Sequence, residues 1–168
     1  IQVDLFERDK EFFGWEIGLG REFKGANGKL IIDDNVKFNG KPSLKLTGDF
    51  SKGGKYVEVK RKLDNLDIKS FSFWVKYPKD VLTFRIVDSS GQCHQIRIKI
   101  KKPNEWEFVE FPLEDFFEKM GTMEGASGIV RYEKWGGKND GKWYRPAKLI
   151  SILLSPDKNT GKKVSMWL

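Results

Sequence analysis

The stretch Gln95-Ile96-Arg97-Ile98-Lys99-Ile100 alternates polar and apolar side chains without a break. Strict period-two alternation is the pattern of a half-buried β-strand, with the isoleucines facing a core and Gln95, Arg97 and Lys99 facing outward. Alternation recurs over 43–47, 56–60, 70–76, 82–87, 105–111, 149–154 and 163–168. Turn chemistry separates these runs. Asn39-Gly40-Lys41-Pro42 leads into one strand and Lys52-Gly53-Gly54 leaves it, Asp88-Ser89-Ser90-Gly91 reads as a hairpin, and 156–161 reads as the turn of a last hairpin. Short strands at this spacing predict an all-β fold, an antiparallel β-sandwich or jelly roll. One short helix is expected after Pro112, where Leu113, Phe116, Phe117 and Met120 fall at helical spacing and Gly121 stops it. With no internal repeat or linker, residues 1–168 read as a single domain.

The composition supports that reading and excludes several function classes. At 168 residues and 39% hydrophobic, the chain has enough apolar side chain for a sizeable core. Aromatic content is high at 14%, with 13 Phe and 6 Trp. No apolar run reaches the roughly 20 residues of a membrane span. The start Ile1-Gln2-Val3-Asp4 has neither Met nor a signal-peptide pattern, so the sequence reads as a mature or excised fragment. A lone cysteine, Cys93, excludes an internal disulfide and a thiolate metal cluster. A lone histidine, His94, argues against a multi-histidine zinc centre, and a hydrogen-bonding sheet residue is its expected role. The net charge of +7 comes from 31 Lys and Arg against 24 Asp and Glu, dispersed along the chain. Lys60-Arg61-Lys62 and Lys99-Lys101-Lys102 read as solvated strand ends, and no nucleic-acid-binding motif is present.

Two features carry the functional expectation. In 70–76, Phe71, Phe73 and Val75 form the core set, which turns Trp74 outward; in 82–87 and 95–100 the same parity turns Arg85, Gln95 and Arg97 outward. If these strands are neighbours, Trp74, Arg85, Gln95 and Arg97 share one sheet face, a platform on which an indole stacks while guanidinium and amide groups hydrogen-bond. The second feature is the glycine-rich run 135–144, expected to be a loop that presents Trp135, Trp143 and Tyr144 beside Asn139 and Asp140. Rings of this kind suit the flat apolar face of a sugar, and the polar side chains suit its hydroxyl rim. The alternative is that Trp135 and Trp143 fold back over the core, that α-helix or loop covers Trp74, and that Asn139-Asp140 mainly fix the turn.

Phe6-Glu7, the segment Asn39-Gly40-Lys41-Pro42-Ser43-Leu44-Lys45-Leu46, 71–76, the block 85–95, the run 135–141 and the ending Val164-Ser165-Met166-Trp167-Leu168 resemble the galactose-binding-like β-jelly-roll carbohydrate-binding modules of the family 4, 11 and 22 kind. The resemblance spans nearly the whole chain through short motifs. It implies a non-catalytic, monomeric module that holds an attached glycoside hydrolase against a polysaccharide or oligosaccharide, in a secreted or cell-surface setting. It also implies a structural Ca²⁺ held by the side chain of Glu7 and the backbone carbonyl of Lys41, oxygen ligands of the kind Ca²⁺ takes. The acidic residue that such modules add after the last strand has no counterpart, since the sequence stops at Leu168. Asp33-Asp34, beside Asn35, could contribute oxygens and equally reads as a turn.

Two other classes stay open at this level. A hydrolase needs two carboxylates about 5–10 Å apart in a cleft, and the strand carboxylates Glu58, Glu105, Glu107 and Glu110 do not fall among the aromatics of the inferred platform. A polysaccharide lyase acting on an acidic glycan could use Arg97, His94 and a tyrosine. A protein-interaction or assembly domain of the same fold would use the aromatic loop as an anchor.

Overall fold

The computed structural model describes residues 3–6, 11–64, 66–118 and 128–168. Among them, eleven strands form two antiparallel sheets of six and five strands, a β-sandwich, as the alternation predicts. In chain order the strands are β1 (Glu16–Gly18), β2 (Asn27–Phe38), β3 (Lys41–Asp49), β4 (Val57–Lys62), β5 (Ser70–Lys76), β6 (Val81–Val87), β7 (Cys93–Lys99), β8 (Trp106–Pro112), β9 (Ile129–Trp135), β10 (Leu149–Leu154) and β11 (Lys163–Trp167). Among the described residues one short α-helix, α1 (Leu113–Glu118), follows β8, and a 3-10 turn spans Glu11–Gly14 ahead of β1. The chain divides into two compact units, residues 1–61 with 154–168, and residues 62–153.

In the first unit, β2 and β3 form a long hairpin around Asn39-Gly40, whose φ angles of 52° and 76° are the left-handed pair that a tight hairpin turn requires. On its other edge β3 pairs with β11, with Leu46 opposite Met166. A bulge between Asp33 and Lys37 breaks the β2 register. There the Asp33 carboxylate accepts the Asn35 N–H at 2.9 Å, the Val36 N–H at 3.3 Å and the Trp167 indole N–H at 2.9 Å. These bonds, the indole's first, hold its carboxyl below the usual carboxylate range. The core of this unit gathers Trp15, Leu44, Leu46, Val57, Val59 and Met166, all buried. The buried indole of Trp15 satisfies its N–H on the Leu5 carbonyl at 3.0 Å.

In the second unit, β10-β6-β7-β9 lie side by side in one layer and β5-β8 in the other. The expected parities hold. Phe71, Phe73 and Val75 of β5 are buried, as are Leu82, Phe84 and Ile86 of β6 and Ile96 and Ile98 of β7. Phe84 joins the layers, with ring centres 6.4 Å from Phe71 and 5.2 Å from Phe111. Burying an aromatic of this size contributes about 1.5–3 kcal/mol. Helix α1 adds Leu113 and Phe116 to the same core, Phe116 lying 5.0 Å from Phe111. Met120 and Gly121, expected to end that helix, lie outside the described residues.

Three local expectations are corrected. The segment 156–161 does not close a hairpin, because β10 and β11 belong to different sheets. Asp33-Asp34 is not a turn but part of β2, since the bulge absorbs the irregularity. Trp135 is not in the loop: it is the last residue of β9, opposite Cys93 of β7.

Candidate ligand-binding face

The register of β10-β6-β7-β9 places the outward side chains in rows across the layer. One row runs Ser151, Arg85, Gln95, Glu133; its neighbours run Leu149, Val87, Cys93, Trp135 and Leu153, Thr83, Arg97, Arg131. Strand period two puts all of these opposite the phenylalanine core. Arg85 donates from Nε to Gln95 Oε1 at 2.8 Å, and Gln95 donates from Nε2 to Glu133 Oε1 at 3.1 Å. Arg97 reaches the same carboxylate oxygen at 3.2 Å and Arg131 at 3.6 Å. Glu133 is thus the hub of the face. Gln95 is buried although it points outward, because its neighbours in the row close over it.

Trp135 is 41% exposed, and the Arg85 guanidinium lies over its ring with 5.1 Å from the central carbon to the ring centre. The cation fixes the ring by attraction to its π-face. Two polar atoms on this face, Arg97 Nε and Ser151 Oγ, are buried without a hydrogen-bond partner among the described residues. Buried unpaired polar atoms are uncommon and cost about 1–3 kcal/mol each unless something satisfies them.

Behind Trp135, the loop 136–144 is pinned rather than free. Gln92, fully buried, donates from Nε2 to the Lys142 carbonyl at 2.9 Å and accepts the Gly141 N–H on Oε1 at 2.8 Å. Gly137, at φ +52°, passes so close to the β6–β7 turn that a Cβ there would stand 2.3 Å from the Gln92 nitrogen. Within the loop, Asp140 accepts the Tyr144 hydroxyl and, at 2.9 Å, the Lys142 N–H. The tyrosine bond is the main effect that holds the Asp140 carboxyl below its usual range. Lys134 donates to the Asn139 carbonyl at 2.9 Å. Asn139 and Asp140 are therefore engaged in shaping the turn, and Tyr144 is tied to Asp140. Trp143 is half-buried, stacked on Phe117 at 5.2 Å and 9° and set 5.6 Å from the His94 ring. One of its faces is covered by Phe117 of α1.

A buried polar chain that the sequence did not single out as a unit anchors this loop to the turn. Asp88 Oδ1 accepts the N–H groups of Ser90 (2.9 Å) and Gln92 (3.1 Å) and the Ser90 hydroxyl (2.7 Å). Its Oδ2 accepts Gln92 Nε2 at 3.1 Å and His94 Nε2 at 2.9 Å. With its Nε2 proton given to Asp88, the His94 ring accepts the Tyr132 hydroxyl on Nδ1 at 2.6 Å. Burial pushes the His94 pKa down against the pull of Asp88, and pushes the Tyr132 hydroxyl up. Burial also raises Asp88, but the hydrogen bonds from His94, Ser90 and Gln92 outweigh it and leave this carboxyl below its ordinary value. His94 is a neutral sheet residue with both ring nitrogens occupied. Neither nitrogen is offered to a substrate in this arrangement.

Trp74 stands apart from these groups. It is exposed on β5, as its parity predicts, but β5 pairs with β8 in the other sheet. The expected common face of Trp74 with Arg85, Gln95 and Arg97 is therefore corrected: the two sets lie on the outer sides of different layers. Trp74 instead meets the exposed Phe108 across the β5–β8 pair, ring centres 5.3 Å apart, with Trp106 opposite Lys76 two pairs along. Of the strand carboxylates, Glu107 accepts the backbone N–H groups of Lys101 and Lys102 at 3.1 and 2.8 Å and serves that turn.

The expected calcium ligand Glu7 lies outside the described residues. Lys41 opens β3 opposite Phe38. Asp33 gives its carboxylate oxygens to three N–H donors, as described above, so it is poorly disposed to a cation. Among the described residues, no group of three or more His, Cys, Asp or Glu side chains is gathered as a metal would need.

No protein-family model matches the chain, and no curated protein matches it. Its fold is similar to a solved structure of carbohydrate-binding modules from the β-sandwich superfamily, described for their promiscuous specificity. The TM-score is 0.53 and the identity 11%, over 97% of this chain and 58% of that one. A structure described as PfGH50B is also similar, with TM-score 0.46 and 14% identity over 85% of this chain and 21% of that one. The chain thus spans little more than half the length of the first of these and about a fifth of the second. At such identities the likeness is one of fold: a β-sandwich like that of carbohydrate-binding modules. No described helix is long and apolar enough to cross a membrane.

Proposed function

We propose that this chain is a carbohydrate-binding module, one non-catalytic and monomeric domain that tethers a linked glycoside hydrolase to a polysaccharide in a secreted or cell-surface system. The observation that carries the reading is the outer face of β10-β6-β7-β9. An exposed indole, Trp135, is held by Arg85 beside a row of hydrogen-bonding side chains. A sugar ring stacks on the open side of Trp135, and Arg85, Arg97 and Glu133 bind its hydroxyls, while the buried Gln95 holds Arg85 and Glu133 in place beneath them. Stacking adds on the order of 1 kcal/mol beyond area burial. The fold likeness to carbohydrate-binding modules points the same way. In this reading Asn139, Asp140, Trp143 and Tyr144 shape the wall beside Trp135, and Trp74 lies outside the primary face. A structural Ca²⁺ near Glu7 and the Lys41 carbonyl belongs to the proposal as a stabilising element only.

The test is a native-gel panel of soluble polysaccharides, with and without EDTA, combined with an assay for new reducing ends or unsaturated products. The expected result is retardation in at least one polysaccharide with the polymer left intact. Release of products would make the chain an enzyme. Absence of retardation across the panel, with elution as an oligomer, would favour an assembly domain.

A further inference from the structure

The balance of donors and acceptors on the Trp135 face goes further than a generic sugar site. Three guanidiniums, Arg85, Arg97 and Arg131, stand on adjoining rows, and a guanidinium only donates. The carboxylate of this set is Glu133, and one oxygen, Oε1, already receives Gln95, Arg97 and Arg131. The Gln95 amide oxygen is likewise taken by Arg85. Arg97 still has a buried Nε with no hydrogen-bond partner among the described residues. A neutral sugar brings hydroxyls that must both donate and accept, and this face has few acceptors left to receive their protons. A carboxylate or sulfate group brings only acceptors, and matches the guanidinium fork.

The neighbouring row points the same way. Leu149 and Val87, at the end of the row that finishes in Trp135, help to line a cavity of about 450 Å³ whose described lining also includes Lys62, Lys148 and the carboxylate Asp64. From β10 to β9 the row crosses three strand spacings, roughly 14 Å. That length accommodates several sugar units between the lysines and the indole.

We infer that, if the Trp135 face is the glycan site as proposed above, its ligand is an anionic polysaccharide, with a carboxylate or sulfate group held by Arg97 and Arg131 while the adjoining ring stacks on Trp135. The experiment compares retention by matched pairs: polygalacturonate against its fully methyl-esterified form, and a sulfated galactan against its desulfated form. Each is run with the intact chain, the Arg97→Gln/Arg131→Gln variant and Trp135→Ala. Retention by one charged member, at least about tenfold stronger than by its neutral partner and lost in both variants, supports the inference. Which pair responds tells uronate from sulfate. Retention should also fall between about 20 mM and about 300 mM salt. Equal retention of both members of a pair, lost in Trp135→Ala but kept in the arginine variant, would overturn the anionic preference and leave the glycan site standing. Retention of neither member of either pair, together with retardation elsewhere in a neutral panel, would overturn it in the same way. Equal retention of single-stranded DNA, insensitive to Trp135→Ala, would reduce the face to a general polyanion surface and overturn it. Failure of every glycan would remove the site itself.

Discussion

The Arg85 guanidinium lies over the Trp135 indole at 5.1 Å, and the same side chain donates to Gln95 at 2.8 Å. One arginine thus links the aromatic platform to the hydrogen-bonded row that crosses the sheet. An indole held on one side by a cation offers its other side already oriented, which lowers the ordering cost of stacking a ligand on it. Arg85→Ala is expected to lower stability by about 2 kcal/mol through the loss of its cation–π contact with Trp135 and its bond to Gln95. Glycan retention should fall more than stability does. Urea denaturation and native-gel retention on the same preparation check both.

The β6–β7 turn is the mooring of the aromatic loop, and Gln92 is its cleat. Gln92→Ala removes bonds to Gly141, Lys142 and Asp88 at a fully buried site. A loss of about 1–3 kcal/mol or more is expected, because buried backbone groups are left unpaired. Hydrogen exchange at residues 139–143 should accelerate well beyond the change elsewhere. Uniform acceleration across the chain would mean that the loop is not selectively held by this residue.

Gly137 meets the same turn from the other side. Its φ of +52° and the 2.3 Å approach of a Cβ to the Gln92 nitrogen leave no room for a side chain. Gly137→Ala should cost on the order of 1–3 kcal/mol, whereas Gly91→Ala, where a Cβ meets nothing within 4 Å, should cost only its left-handed strain at φ +86°. The thermal midpoints of the two variants order these costs, and a milder effect at 137 than at 91 would contradict the close approach.

The Asp88–His94–Tyr132 chain sets a pH dependence of stability. Burial holds the folded-state pKa of His94 below its ordinary value of 6.5, so the unfolded chain binds the extra proton first. Stability from this group is complete above 6.5 and is lost as pH falls below it. Asp88, depressed from 3.8, adds a second loss in stronger acid. Thermal unfolding at about pH 7.5 and about pH 5 should show the lower midpoint in acid, and His94→Gln should flatten that slope. An unchanged slope in the variant would assign the acid sensitivity to other groups.

The sandwich was legible because most strands alternate cleanly, as in 70–76 and 95–100, and the turns between them carry Gly, Asn and Asp. The strands that escaped notice have local reasons. In β2 the run Asp33-Asp34-Asn35 mimics a turn, yet the Asp33 carboxylate binds the bulge N–H groups and keeps the strand going. In β9, Arg131, Glu133 and Lys134 mask the period, because these charges are used laterally against β7 and the following loop rather than left in water. Glu133, hub of the face, lies in this strand and carries no alternation signal of its own. Parity correctly turned Trp74, Arg85, Gln95 and Arg97 outward. What parity cannot encode is which sheet a strand joins, so the expected face of Trp74 with Arg85, Gln95 and Arg97 spans two layers. The tie between Gln92 and the loop spans 49 positions to Gly141 and leaves no local signal.

The account turns on which aromatic face takes the glycan, and a comparison of two single variants decides it. Trp135→Ala and Trp74→Ala are run beside the intact chain in native gels containing a polysaccharide that retards it. Trp135→Ala should lose most of its retardation, at least about fivefold in affinity for the loss of one stacking ring, while its thermal midpoint stays within a few degrees. Trp74→Ala should be retarded like the intact chain. Full retardation of Trp135→Ala together with loss in Trp74→Ala would move the site to the Trp74–Phe108 pair and contradict the face proposed here.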